Sequence, residues 1–338
     1  MERRHKLFFW IILGMLSTFF AEVVSGSYIF PFFTAWGIFV VVPLYMLHIL
    51  VLSHVAFNYG KPVFYVLLLL GVVFGLYEGY ITKVLWVPWG TPSIFIGGVA
   101  AVETIVLILW WHPFMSFIIP LIFAEAMLTK SSDILRGLPK WVNVLLGGRN
   151  RFYLFFILLA LASGTFHGIN APSIESSLLS FFSTSMLMAL FIYFWNKKIG
   201  GKYTMKELLP DRHEFKILLS ILIAFYIITG IVINPQNLPS LQHQATVWAI
   251  YLIVFALLYL GLKKSKAEKM SAKSMITVRP SLKIFMLTVA LFAISSAAFK
   301  TFQLMWIFWT IWASGIIFGI VIFIYTVIAV LRRKRQQI

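Results

Sequence analysis

Stretches of about 20 mostly apolar residues recur ten times in this chain of 338 residues, and their recurrence constrains the fold more than any other feature. A helix needs that length to cross a bilayer, where its backbone must satisfy its own hydrogen bonds. Hydrophobic residues make up 61% of the chain and charged residues 12%, which excludes a soluble globular protein. The sequence therefore predicts an all-α polytopic transmembrane bundle of about ten spans. The predicted spans are residues 7–24, 36–57, 62–86, 101–128, 152–169, 177–195, 215–234, 246–262, 283–299 and 303–331.

The basic residues predict the orientation of these spans. If residues 92–128 hold one long kinked helix rather than two short ones, and the N-terminus lies inside, 26 of the 28 Lys and Arg residues fall on the cytoplasmic side. Two helices there would reverse every later loop and remove this asymmetry, so the positive-inside rule favours one helix. The sequence thus predicts a multi-pass protein of the cytoplasmic membrane with both termini in the cytoplasm.

The formal net charge of +17 would suggest a nucleic-acid partner in a soluble protein. Here the basic residues lie in short loops between apolar stretches, where orientation signals belong, so no nucleic-acid partner is expected. The predicted partner is the lipid bilayer, and the basic cytoplasmic loops, 263–283 above all, suit contact with anionic lipids. Gly315 and Gly319 form a small-residue motif that predicts close helix contact, either within the fold or in a homo-oligomer.

Ionisable residues inside the apolar stretches are concentrated in the first part of the chain. Spans 1 to 4 hold six of them, whereas spans 7 to 10 are essentially apolar; the six are Glu22, His48, Glu78, Glu103, His112 and Glu125. We therefore divide the chain into three parts. Residues 1–195 are a polar membrane half with an interfacial segment at 129–151, residues 196–214 are a basic cytoplasmic loop, and residues 215–338 are an apolar membrane half.

Glu78 is the strongest candidate functional residue, because a charge inside the bilayer costs at least ~2.5 to 3.5 kcal/mol and such residues usually face protein or a wet cavity. Gly71, Gly75, Glu78 and Thr82 share one stripe of their helix, which predicts that Glu78 faces a closely packed neighbour. A polar pocket in the outer half of the membrane is therefore predicted around Glu78. The candidate binding or coupling residues are Glu22, Glu78, Thr82, Glu103 and Ser180.

Two histidines, His48 and His112, fall near the middle of the membrane and are candidates to join Glu78 as proton carriers or metal ligands. The chain has no cysteine and none of the common zinc, phosphate-binding or nucleophile motifs. No metal site and no cofactor are therefore assigned from the sequence.

Some segments resemble known sequences. Phe20 to Glu22 followed by Ser25-Gly26-Ser27, the Gly75 to Gly79 turn, and Trp111-His112-Pro113 resemble a recurrent pattern in uncharacterised prokaryotic multi-span proteins, over about the first 150 residues. The chain also has a faint similarity to the CAAX-protease-like intramembrane proteases, which place a Glu-Glu pair, then His, then His with Asn or Asp on successive spans around a water. That resemblance implies a catalytic set of Glu78, His112, His167 and Asn170.

Three functions remain open from the sequence. The preferred hypothesis is transport or binding of a small solute or ion, with Glu78 as the protonatable coupling residue. The alternative is an intramembrane hydrolase in which Glu78 activates water. A third possibility is a membrane scaffold subunit in which Glu78 is fully hydrogen-bonded in a dry helix contact.

Overall fold

The computed structural model describes residues 2–88, 94–146, 148–268, 270 and 281–332. Ten helices in these ranges are long and apolar enough to cross a membrane, as predicted, and we number them spans 1 to 10. Their bounds are Arg3–Val23, Gly37–Asn58, Phe64–Thr82, Ala101–Leu128, Arg149–Asn170, Ile174–Lys198, Arg212–Val232, Leu241–Lys266, Leu282–Phe302 and Met305–Leu331. The connections contain the short helices Asp133–Gly137, Lys140–Leu146 and Met205–Leu208, a 3₁₀ turn at Pro235–Asn237, and a two-stranded antiparallel hairpin of Phe95–Ile96 and Val99–Ala100.

Span 4 is one continuous helix, as the charge distribution predicted, and it is wound unusually. Residues Val106–Ile118 form a π-helical segment that contains Pro113. A proline inside a helix lacks an N–H donor and clashes with the preceding turn, and π segments often occur at functional sites. Shorter π segments lie at Phe19–Val23, which ends span 1, and at Gly37–Val41, which begins span 2.

Contacts near the helix ends are those expected when spans 3 to 9 run in alternating directions. At one end of the bundle, Lys83 reaches the end of span 7, Lys300 reaches Ala171, and Thr246 reaches Gly97. We refer to this end as the outer end, following the predicted orientation. At the opposite, inner end, Lys130 contacts Tyr203, and Lys61 contacts Glu268.

Burial decreases along the chain. In spans 1 to 4, between 61% and 83% of the apolar window is buried inside the protein, whereas in spans 6 to 10 the share is 11% to 39%. Exposed isoleucine, leucine and phenylalanine side chains on the later spans are compatible with a lipid environment. The spans that carry most of the buried ionisable residues therefore form the centre of the bundle.

Two glycine pairs allow close backbone contact with span 4. A Cβ atom on Gly71 would lie 2.4 Å from the Cα of Pro113, and one on Gly75 would lie 2.7 Å from the carbonyl oxygen of Leu107. On span 10, a Cβ atom on Gly319 would lie 3.0 Å from the carbonyl oxygen of Leu109, and one on Gly315 would lie 2.4 Å from the ring of Trp110. Span 10 therefore uses its glycine motif within the fold, whereas a homo-oligomer stays a prediction.

Buried polar contacts hold the spans and connecting segments together at the inner end of the bundle. Glu125, fully buried at the end of span 4, accepts hydrogen bonds from the backbone N–H groups of Ile134 (3.0 Å) and Leu135 (3.1 Å), and thus caps the short helix in the predicted interfacial segment. Lys6 of span 1 forms an ion pair with Glu214 of span 7. The Trp10 indole donates to the carbonyl oxygen of Leu208 at 2.8 Å, so the loop before span 7 is held against span 1.

Candidate functional site

Glu78 and His112 form a direct pair inside the membrane. The Nε2 atom of His112 lies 3.1 Å from Oε2 of Glu78, and the two side chains are 3% and 14% exposed, respectively. The glycine stripe brings the two helices this close, because Gly71 meets the backbone of span 4 at Pro113 and Gly75 meets it at Leu107 and Ile108. Glu78 thus faces the bundle, and its direct partner is a titratable side chain.

His112 uses both ring nitrogens. Its Nδ1 atom lies 2.6 Å from Oγ of Ser116, one turn further along span 4, and both side chains are buried. The Ser17 hydroxyl of span 1 donates to the Ser116 carbonyl oxygen at 2.6 Å. A protonated imidazole would donate to both Glu78 and Ser116, whereas a neutral one would accept from the Ser116 hydroxyl. The site therefore accommodates either protonation state of His112 without a change in its partners.

Glu22 places a second carboxylate near the Glu78–His112 pair. It accepts hydrogen bonds from the Tyr45 hydroxyl and the Ser27 hydroxyl, each at 2.5 Å. It also lies close enough to Glu78 and His112 to interact with them electrostatically. The arrangement therefore groups two carboxylates and an imidazole in one part of the bundle. Ser27 is exposed at the outer end, so Glu22 connects the buried pair to the surface.

Aromatic rings enclose the pair on the side of span 2. Phe74 stacks on His112 at 5.6 Å between ring centroids and on His48 at 4.6 Å, with interplanar angles of 17° and 15°. Tyr45 covers His112 at 6.3 Å. His48 donates through Nδ1 to the carbonyl oxygen of Leu44 at 2.8 Å, and its buried Nε2 atom has no hydrogen-bond partner among the described residues. His48, a candidate proton carrier, is therefore separated from His112 by Phe74.

The other candidate binding residues have different surroundings. The Thr82 hydroxyl donates to the Glu78 carbonyl oxygen at 3.0 Å within its own helix, and Ser180 donates to the carbonyl oxygen of Ile29 at 2.5 Å. Glu103 is buried in the first turn of span 4, nine residues before His112. Thr82 and Ser180 therefore direct their hydroxyl groups to backbone carbonyls rather than to the Glu78 carboxylate.

The residues implied by the protease resemblance divide into two groups. Glu78 and His112 are in contact, whereas His167 and Asn170 of span 5 bond to the segment that follows Glu22. His167 Nδ1 donates to the carbonyl oxygen of Val23 at 2.5 Å, and the Asn170 amide donates to that of Ser25 at 2.8 Å. The His167 ring packs against Phe181 at 4.3 Å and Phe292 at 5.8 Å. Its surroundings are thus aromatic, and the Val23 carbonyl is its hydrogen-bond partner.

Lys83 lies at the outer end of span 3 and is fully buried. As its angle around the helix suggested, it does not pair with Glu78. Its ammonium group donates to three carbonyl oxygens, those of Ile81 (3.0 Å), Gly230 (2.5 Å) and Ile233 (2.5 Å). Burial lowers the pKa of Lys83 below its ordinary value. Lys83 therefore joins the ends of spans 3 and 7, where helix carbonyls lack partners and the helix dipole favours a cation.

Sequence reasoning missed Tyr45, Ser116, Ser17 and Ser27. Ser116 follows His112 by four residues, the spacing at which helical side chains meet, so that partner was available from the sequence. Tyr45 precedes His48 by three residues, and residues at that spacing share one face of a helix. Ser17 and Ser27 have no comparable signal, because their partners lie on other spans or across a turn. Among the residues described, no three His, Asp or Glu side chains come together in a way that could hold a metal ion.

Comparisons with known proteins place the whole chain in one family. A family model described as an uncharacterised membrane protein family matches residues 11–334. A protein of Archaeoglobus fulgidus, described as an uncharacterised protein, is 32% identical over 331 residues, which are 97% of this chain and all of that protein. No solved structure matches. The resemblance noted in the first 150 residues is thus confirmed and extends over almost the whole chain. The chain belongs to this uncharacterised family of membrane proteins.

Proposed function

We propose that this protein transports a small solute across the membrane in exchange with protons, and that Glu78 and His112 are the pair that binds and releases the proton. The observation that carries the proposal is the 3.1 Å contact between a carboxylate and an imidazole inside the bilayer. Ionisable residues at such depth are costly, and they commonly mark proton relays and substrate paths. Histidine is also a side chain that proteins commonly use as a proton shuttle.

A chain of polar groups supports access from the outer end. It begins at the exposed Ser27 and continues to Glu22 and Tyr45. The Tyr45 ring lies 6.3 Å from that of His112, which contacts both Glu78 and Ser116. Serine and tyrosine hydroxyls both donate and accept, so each member can pass a proton to the next when a water fills a gap. This chain enters from the outer end and reaches the buried Ser116 and Ser17.

The closed inner end also fits transport. Lys6 and Glu214 pair across spans 1 and 7, and Lys6 lies 5.7 Å from the ring centroid of Trp10. The contact between Trp10 and Leu208 adds a further closure on this side. A site that is reached from one end and shut at the other is one of the two states that alternating access requires.

The hydrolase alternative has one observation in its favour, the contact of Glu78 with His112. In such a site a base must reach its proton directly or through one water. His167 directs one nitrogen to a backbone carbonyl, and its other nitrogen has no hydrogen-bond partner among the described residues. Its ring packs against two phenylalanines. We therefore favour the transport function, which needs only the pair and its connection to Glu22.

Two measurements test the proposal. In the first, infrared difference spectra of the purified protein are recorded during a pH titration. We expect a protonated-carboxyl band that Glu78→Gln removes and that His112→Gln shifts to another pH. Glu175→Gln, at an exposed position on the outer end of span 6, is the matched control and leaves the band unchanged.

In the second measurement, proteoliposomes with a pH gradient are exposed in turn to amino acids, organic acids and monovalent cations on a solid-supported membrane. We expect a current for one of these classes that grows with the proton gradient and disappears in Glu78→Gln but not in Glu175→Gln. A solute current of equal size in wild type and Glu78→Gln would refute the role of the pair. Hydrolysis of a membrane-protein substrate without any current would support the hydrolase instead.

A further inference from the structure

A groove of about 520 Å³ lies between spans 6 and 9, away from the Glu78–His112 pair. Its lining includes Leu178, Phe181 and Phe182 of span 6, and Met286, Val289 and Ala290 of span 9. Almost all of the lining is apolar, and Phe182 is 66% exposed. Because both helices are membrane spans, the groove opens toward the hydrocarbon region rather than toward water.

Polar packing fixes the two walls of this groove. The Ser177 hydroxyl of span 6 and the Ser296 hydroxyl of span 9 are 2.6 Å apart and fully buried. Span 9 is also held against span 5, where a Cβ atom on Gly164 would lie 2.7 Å from the carbonyl oxygen of Phe292. Spans 5, 6 and 9 therefore form a unit in which the groove has a defined shape.

Directly behind the groove lies a buried hydrogen-bond acceptor. Phe181, which lines the groove, packs on the His167 ring at 4.3 Å. Since Nδ1 of His167 donates to the Val23 carbonyl, the neutral ring carries its proton there, and Nε2 is left as an acceptor. This Nε2 atom is buried and has no hydrogen-bond partner in the part of the chain that the structure describes. Buried polar atoms are almost always paired, so an unpaired one indicates a missing partner.

The position of the ring indicates where that partner enters. The two nitrogens of an imidazole point away from each other, and Nδ1 is directed at span 1. Nε2 therefore faces away from span 1, and the ring that carries it packs against Phe181 and Phe292. A rotation of the Phe181 side chain would connect Nε2 with the groove.

We propose that this groove binds a neutral long-chain alcohol, with its apolar chain between spans 6 and 9 and its hydroxyl group donating to Nε2 of His167. An apolar lining selects an apolar chain. An acceptor with no donor nearby selects a ligand that brings a donor, and a hydroxyl does so without the cost of a charge in the membrane. The site lies on spans 5, 6 and 9 and is independent of the proton pair.

A photoreactive probe tests this directly. Hexadecan-1-ol with a diazirine in its chain is crosslinked to the purified protein in nanodiscs, and the labelled peptides are identified by mass spectrometry. We expect labelling at residues 178–186 and 286–293. Unlabelled hexadecan-1-ol should compete roughly tenfold better than hexadecane, which lacks the donor.

Three variants separate the groove from the acceptor. Ala290→Trp fills the groove from its exposed side and should abolish labelling, whereas Ala313→Trp, at an exposed alanine of span 10, should not. His167→Phe should leave the labelling in place but make hexadecan-1-ol and hexadecane compete equally. Equal competition by the two compounds in the wild type would overturn the proposal, and so would unchanged labelling in Ala290→Trp. The Ala290→Trp test stands even if His167→Phe fails to fold, because it leaves His167 in place.

Discussion

Replacing Gly71 with alanine should separate spans 3 and 4 and break the Glu78–His112 contact. The added Cβ atom would lie 2.4 Å from the Cα and 2.9 Å from the Cβ of Pro113, whereas ordinary contact begins near 3.4 Å. The helices must therefore move apart by about 1 Å, because a backbone atom cannot rotate out of the way as a side chain does. The same displacement would stretch the 3.1 Å contact between Glu78 and His112 to about 4 Å, beyond hydrogen-bond distance.

The size of the effect follows from two contributions. Overpacking of a well-packed contact costs about 1 to 3 kcal/mol. Loss of a hydrogen bond that involves a charged group adds about 1.5 to 3 kcal/mol, part of which a water molecule in the gap would restore. We expect Gly71→Ala to lower the apparent melting temperature in detergent by several degrees and to shift the infrared carboxyl band of Glu78.

Gly230→Ala is the matched control. Gly230 lies inside span 7, and a Cβ atom there would meet nothing within 4 Å. The change should therefore be neutral or stabilising by up to about 1 kcal/mol, since alanine is the better helix former. If Gly71→Ala melts like the wild type and leaves the carboxyl band in place, spans 3 and 4 do not pack through this glycine and the geometry of the site is wrong.

Three further predictions concern the ends of the bundle. Lys83→Met should lower the apparent melting temperature by an amount that corresponds to about 2 kcal/mol, because three buried carbonyls lose their donor; a more stable variant would contradict this. Hydrogen bonds from the backbone N–H groups of Glu214 and His213 hold the pKa of Asp211 below its ordinary value of 3.8. The helix cap should therefore be complete above that pH and be lost as the pH falls through the lower folded-state pKa. Asp211→Ala should thus cost about 1 kcal/mol at neutral pH and much less in acid, as melting at two pH values would show. Because the chain has no cysteine, Glu175→Cys and Lys198→Cys report orientation directly, and an impermeant maleimide added to intact cells should label the first and not the second. The reverse pattern would invert the predicted topology.

The number and limits of the spans could be predicted from the sequence because the bilayer imposes them. Hydrocarbon thickness sets the length of each apolar stretch, so span 4 was predicted at 101–128 and is observed at Ala101–Leu128. Span 9 was predicted at 283–299 and extends to Leu282–Phe302, since helix ends depend on caps rather than on hydropathy. Orientation of the termini relative to the cytoplasm stays a prediction.

The candidate site could be predicted only in part from the sequence. Helical spacing predicted that Glu78 shares a face with Gly71 and Gly75, and this face does meet another backbone. Spacing within one helix cannot identify the partner helix, so the contacts of Glu22 with Tyr45 and of Ser17 with Ser116 could not be derived. These depend on how the spans rotate against one another, which many side chains determine together.

The predicted division into a polar half and an apolar half rests on composition. In the folded chain, polar groups of the apolar half also contact span 3. Gln244 of span 8 accepts a hydrogen bond from the Tyr80 hydroxyl at 2.6 Å, and Tyr226 of span 7 packs on Tyr77 at 4.9 Å. Lys83 relies on carbonyls of the same span 7. A few polar groups in the later spans therefore complete the surroundings of span 3, although those spans are apolar on average.

The decrease in burial along the chain has a consequence for biogenesis. Synthesis delivers the N-terminus first, so the most polar and most deeply buried helices leave the ribosome before the lipid-facing ones. Spans 1 to 4 contain Glu22, Glu78 and His112 with their immediate partners Tyr45 and Ser116, and they need one another because lipid is a poor environment for these groups. We expect spans 1 to 4 to associate with one another early during insertion. The later, more apolar helices are stable in lipid on their own and then pack against spans 1 to 4 as an outer layer.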